Sequence, residues 1–230
     1  MQTPNLEVIA EILHAGRMDA FVGLLEGQQF DAKEAAAYDL TTASGRYELS
    51  KDASSFANAS GGYLVIGLTH AKSENLATET VSGLDLVPRE SFNPGRYSGI
   101  IAEYVHPRIA GLDVAWTPSQ TDPRSGVGVI LVPPQRDDDK PFVIARVVED
   151  GAALKHIVFG LARRKGADSV PLTAVEIQGA LRKGMDTISQ RLSRIEAKLD
   201  AVVRSSEPTL ELTRDEQLRK RILSLIQEST

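Results

Sequence analysis

The sequence contains no cysteine, a single tryptophan, and aromatic residues at only 5% of the total. Without cysteine neither a disulfide framework nor a thiolate metal site can form, and the composition does not call for an oxidising compartment. No apolar run approaches the ~20 residues that a membrane-spanning helix requires. The opening stretch MQTPNLEVIAEILHAGR carries acids within its apolar part and lacks a basic leader, so it does not read as a signal peptide. A cytoplasmic protein without membrane association is the expectation. Several site fingerprints are missing as well. There is no Gly-x-x-x-x-Gly-Lys and no Gly-x-Ser-x-Gly, Gly126-Val-Gly128 lacks a third glycine, and His14, His70, His106 and His156 show no metal-ligand spacing.

What is present is enough apolar residue, 42% of 230, to bury a core in one or two domains. The net charge of −5 is unevenly placed. Met1 to Asp150 holds 12 Lys and Arg against 21 Asp and Glu, whereas Gly151 to Thr230 holds 14 against 10. Contacts with a phosphate backbone are therefore expected from the C-terminal part, where Lys155, Arg163, Arg164 and Lys165 cluster before Gly166. Arginine forks in such a turn can grip phosphates bidentately.

The chain is organised around Glu48 to Leu68. Leu49, Ala53, Phe56 and Ala57 give one apolar helical stripe, with Ser50, Lys51, Ser54 and Ser55 away from it. Gly61 and Gly62 end the helix, and the uncharged run Tyr63 to Leu68 predicts a central strand covered on both sides. Before it, two short amphipathic helices are expected around Leu6 to Leu13 and Phe21 to Leu25. Gln28 to Lys33 alternates as a half-buried strand with Asp31 and Lys33 on its polar face. A loop over Glu34 to Arg46 follows. Further on come a short strand at Val81 to Val87, a helix at Tyr97 to Val105, and strands at Leu112 to Trp116, Val127 to Val132, Phe142 to Val148 and His156 to Ala162. Asp137-Asp138-Asp139 reads as an exposed connector, and Tyr63 and Trp116 as core. A Thr173/Glu176 capping box opens a helix to Lys183. This order of helices and hairpin-linked strands predicts an α+β fold, a mixed sheet with flanking helices, over residues 1–183.

Beyond Gly184, Met185, Ile188, Leu192, Ile195, Leu199 and Val202 follow an a/d heptad seam, with Met185, Leu192 and Leu199 at a. Arg191 at g and Glu196 at the following e can pair between parallel chains. Residues 184–204 are thus expected to form a coiled-coil helix that makes the protein a homo-oligomer, the alternative being a helix docked onto its own domain. Residues 205–230 read as a linker and a short helix, with a second capping box at Thr213 and Glu216.

Glu26 and Asp31 are the sharpest candidates for chemistry. Five residues apart, they converge only if the backbone turns between them, and Gly27 permits that. Converging carboxylates hold Mg²⁺ or Mn²⁺, hard ions that prefer oxygen, and Lys33 on Asp31's strand face can steady a phosphate.

FANASGGYLVIGL, together with EGQQFDAK upstream and Leu161-Ala-Arg163-Arg164-Lys165-Gly166 downstream, closely resembles the signature pieces of the Schlafen/AlbA-like domain, a nucleic-acid-binding module. The resemblance spans roughly Leu6 to Leu181. It implies RNA or DNA as the partner. In members with ribonuclease activity it implies an acidic triad, whose first two positions match Glu26 and Asp31. The third position, just after the GGYLVIG strand, holds Thr69-His70 here, and Asp52 lies a whole helix earlier. An imidazole at His70 suits Mn²⁺ better than Mg²⁺. Three functional readings result: a nucleic-acid-binding module oligomerised by its C-terminal helix, a Mg²⁺- or Mn²⁺-dependent endoribonuclease using Glu26, Asp31 and Lys33 with His70 as a further metal ligand, or a protein-interaction adaptor in a bacterial defence or regulatory assembly.

Overall fold

The computed structural model describes residues 3–72, 79–150, 153–206 and 221, with the side chains of 145–160 and of parts of the last helix outside that description. In chain order the elements are α1 (Leu6–Ala15), β1 (Phe30–Lys33), α2 (Ala43–Asn58), β2 (Gly62–Ile66), β3 (Leu68–Lys72), β4 (Glu79–Leu84), β5 (Val87–Pro88), α3 (Pro94–Tyr104), β6 (Val105–His106), β7 (Asp113–Pro118), β8 (Ser125–Val132), β9 (Val143–Asp150), β10 (Ala153–Gly160), β11 (Ala162–Lys165), β12 (Asp168–Pro171) and α4 (Ala174–Ser206). The fold is α+β with a mixed sheet. The chain divides into two compact units, Met1–Leu181 and Arg182–Thr230. Among the described residues no helix is long and apolar enough to cross a membrane.

β2 lies inside the main sheet, parallel to β1 and antiparallel to β8. Its alternation feeds two cores: Leu64 and Ile66 pack with α2 and α3, and Val65 packs with α1, Phe21 and Phe30. Both faces are covered, which is why the run carries no charge. Gly61 takes φ of 76°, and a Cβ there would lie 2.5 Å from the Val132 carbonyl oxygen. Gly62 serves a different end, close approach: its Cβ would stand 2.3 Å from the Phe56 ring. The glycine pair therefore lets α2 exit sharply and lie directly on the strand it precedes.

Several local expectations are corrected. The helix expected around Phe21 to Leu25 is a single 3₁₀ turn, Met18–Phe21, because Leu25 instead bridges to Thr80 of β4. α2 starts at Ala43, inside the stretch read as a loop, capped by the Thr42 side chain. Its serines are not solvated. Ser50, Ser54 and Ser55 are fully buried, and their hydroxyls donate to carbonyls one turn back, at Arg46, Lys51 and Asp52. Returning the hydroxyl hydrogen to the helix's own carbonyls lets such side chains be buried, and Ser55 Oγ additionally accepts from Ser169 Oγ at 3.0 Å. β3 was not evident from the sequence, since His70 and Lys72 break any apolar pattern. The helices expected as separate at Thr173 to Lys183 and beyond Gly184 are one helix, α4, which passes through Gly184. The Thr173/Glu176 capping box is present, with the Thr173 backbone N–H donating to Glu176 Oε2 at 2.8 Å. The expected helix from Thr213 falls outside the described residues.

Asn58, the last residue of α2, ties distant strands to the helix. Its amide donates to the carbonyls of Phe142 (2.9 Å) and Ala162 (2.7 Å), and its carbonyl oxygen accepts from Phe142 N–H (2.7 Å). The side chain thereby completes backbone pairing before β9 and at the start of β11. Replacing it by alanine strands three main-chain groups. Asn58→Ala is expected to cost about 2–4 kcal/mol, read as a lower urea midpoint with unchanged m-value.

Candidate functional site

Glu26 and Asp31 are joined by a tight reversal at Gln28-Gln29, closed by Gly27 N–H donating to Phe30 C=O at 2.9 Å. The reversal folds the Glu26 side chain onto β1, where its Oε1 accepts the Ala32 backbone N–H at 3.0 Å. Gly27 does this without positive φ. Glu26 and Asp31 are both buried, at 3% and 1% exposure. Asp31 does stand opposite to Phe30 and Ala32, as the alternation of β1 requires. At Asp31 that polar face is roofed by the β11–β12 hairpin, while Lys33 on the same face stays part-exposed.

The roof brings Arg164. This residue was expected on a phosphate-binding surface and is instead 3% exposed. Its guanidinium donates to the Gly27 carbonyl (3.2 Å), the Phe30 carbonyl (3.3 Å) and Asp31 Oδ1 (2.9 Å), passes 3.9 Å from Glu26 Oε2, and lies over the Phe56 ring at 5.1 Å. The period of a strand explains the correction: Ala162 and Arg164 point inward while Arg163 and Lys165 alternate with them. Arg163 is engaged by Glu176, the capping-box acid of α4. Of the expected basic turn, Lys165 is exposed, and Lys155 lies in β10, whose side chains are outside the described part.

Asp31, Glu26 and Arg164 line a cleft of about 620 Å³ with Lys33, Asp52, Lys72 and Glu79. Lys33 Nζ sits 2.8 Å from Asp31 Oδ2, so both Asp31 oxygens face cations. Burial alone would lower the Lys33 pKa, but the carboxylates of Asp31, Asp52 and Glu26 outweigh it and raise the value, keeping the ammonium charged. Burial and then the Asp31 charge raise Asp52, whose Oδ2 accepts the Tyr38 hydroxyl at 2.6 Å and whose Oδ1 is 3.2 Å from Ser169 Oγ. Burial, reinforced by Asp31, pushes Glu26 up to about 8 against the opposing pull of Lys33, the Ala32 N–H and Arg164. At neutral pH Glu26 therefore retains its proton.

A second group borders Glu26. One donor atom each from Glu26, His70 and Glu79 all lie within 4.8 Å of one another, and His70 Nε2 is 3.2 Å from Glu79 Oε2. The β3–β4 register sets this up: a shift between Thr69 and His70 places His70 opposite Val81, which makes Glu79 its diagonal neighbour. Two carboxylates and an imidazole are a donor set that suits Mn²⁺ better than Mg²⁺. Asp31 does not share this grouping, being held by Arg164 and Lys33. Glu79 escaped the sequence reading because only the hairpin register reveals it.

Two outcomes follow. Arg164→Leu removes the counter-charge of buried carboxylates and is expected to cost about 3–5 kcal/mol in urea unfolding, whereas Lys165→Ala changes stability by no more than about 0.5 kcal/mol. The unfolded chain releases the Glu26 proton near pH 4.5 and the folded chain near pH 8, so this residue's stabilisation, present at low pH, is lost as pH rises between those values. Glu26→Gln is expected to flatten that decline, checked by unfolding midpoints at both ends of the window.

No family model matches the sequence, and no curated protein matches it. Among solved structures, the chain is similar to the N-terminal domain of an ATP-dependent DNA helicase RecG-related protein from Nitrosomonas europaea, at 18% identity and a TM-score of 0.40, covering 75% of this chain and 95% of that one.

Proposed function

We propose that this chain is a Schlafen/AlbA-like module whose cleft binds a nucleic-acid strand and cleaves it with the help of a divalent cation, Mn²⁺ being the best match. The observation that carries the reading is the meeting of Glu26, His70 and Glu79, with donor atoms within 4.8 Å, in a cleft that also presents Lys33 and Lys72. The likeness of FANASGGYLVIGL and its flanking pieces to that family points the same way.

Glu26, His70 and Glu79 would hold the cation. A bound divalent ion supplies Lewis acidity and an activated water for phosphodiester hydrolysis. The chain's own groups do the rest. Lys33, kept charged by its carboxylate neighbours, faces the cleft and can contact a phosphate oxygen of the strand. Arg164 fixes Asp31 and the Glu26 reversal, so the donors do not have to be ordered when the ligand arrives. Asp52, held by the Tyr38 hydroxyl and near Ser169, forms one wall of the cleft. This reading moves the phosphate contacts from the arginine turn to the lysines of the cleft.

Because Glu26 retains its proton at neutral pH, cation binding must displace that proton. Mn²⁺ titrated calorimetrically in buffers of different ionisation enthalpy is expected to release close to one proton per site, and His70→Ala or Glu79→Ala to weaken binding by at least roughly 10-fold. An oligonucleotide incubated with Mn²⁺ is expected to be cut by the wild-type chain and left intact by the Glu26→Ala Asp31→Ala variant. Equal cutting by both sinks the assignment of this site, and cation binding without cutting reduces the function to nucleic-acid binding.

A further inference from the structure

α4 continues as one helix from Ala174 to Ser206, 33 residues and so about 50 Å. Within the second unit the described large apolar side chains of this helix are exposed. Leu192, Ile195 and Leu199 are 55%, 54% and 58% exposed, and all three belong to the same heptad seam. Their neighbours on the helix, Ser193, Arg194, Glu196, Lys198 and Asp200, are polar or charged and also exposed. A single helix in water gains nothing from a bare stripe of large aliphatic side chains, and stripes of this kind mark interaction surfaces.

The sequence of the stripe identifies its occupant. A helix lying on an irregular protein surface repeats its apolar residues about every 3.6 positions, and a strict 3.5 repeat drifts away from such a surface by ~20° per heptad. Met185, Ile188, Leu192, Ile195, Leu199 and Val202 keep the strict repeat, which stays in contact only with another helix wound around it. Charge favours a second copy in the same direction. Arg191 at g and Glu196 at the next e are five residues apart, so they do not face each other on one helix, but they meet across two parallel copies in register. Leucine at the central a positions with β-branched residues at d favours more than two strands over two.

We propose that residues 185–202 of α4 form a parallel, in-register coiled coil with further copies of this chain, with three or more strands. The absence of native cysteine makes the test clean, because an introduced thiol reports on one position alone. Sedimentation equilibrium of the full chain is expected to give at least three times the 24.9 kDa subunit mass, and Leu192→Asp Ile195→Asp to return it to one subunit while leaving the first unit's unfolding transition in place. Leu199→Cys, at an a position, is expected to form inter-chain disulfides on mild oxidation, and Ala197→Cys, on the opposite face, to form few. A single-subunit mass for the wild-type chain overturns the proposal and assigns the stripe to an occupant other than a second copy. An oligomer in which Leu199→Cys does not cross-link overturns the parallel register.

Discussion

The buried guanidinium of Arg164 is the constraint on which the rest of the cleft depends. Two carboxylates, Asp31 and Glu26, stand on or beside the edge strand β1 with almost no solvent. Such groups are tolerable only if they are paired or protonated. Arg164 supplies the pairing to Asp31 and at the same time donates to the Gly27 and Phe30 carbonyls. Glu26 meets the condition the other way, through its proton. One charged side chain from near residue 160 thus holds the reversal near residue 27 and closes the roof of the cleft.

The scaffold around that pair is rigid for identifiable reasons. α2 exits through Gly61, presses Phe56 against Gly62, and ends at Asn58, whose amide joins it to the segments leading into β9 and β11. Its buried serines donate to carbonyls of their own helix, and Ser55 also accepts from the Ser169 hydroxyl. Each of these features spares the region an unpaired polar group. The β11–β12 hairpin is consequently anchored at Asn58 on one side and at Asp31 on the other, which is the geometry that carries Arg164 inward.

The chemical character of the cleft follows from its uneven charges. Asp31 is neutralised by Arg164 and Lys33, while Glu26 remains near a neutral state and borders His70 and Glu79. Glu79, from the neighbouring strand, adds a second carboxylate beside His70.

Much of this was legible in the residues alone. The apolar stripe of α2, the glycine exit, the uncharged β2, the capping box at Thr173 and the heptads after Gly184 depend on spacing within about 20 residues, and the physics that reads them is local. The sequence also singled out Glu26, Asp31, Lys33 and His70, because glycine-adjacent carboxylates and a family-like pattern need no partner to be noticed. What spacing could not decide was which polar residues are buried. Asp31, Arg164 and the α2 serines look like surface residues until the roof is known, and Glu79 becomes a neighbour of His70 only through a register shift. Burial of charge depends on partners more than 100 residues away, so the tertiary structure alone determined that Arg164 is an internal brace.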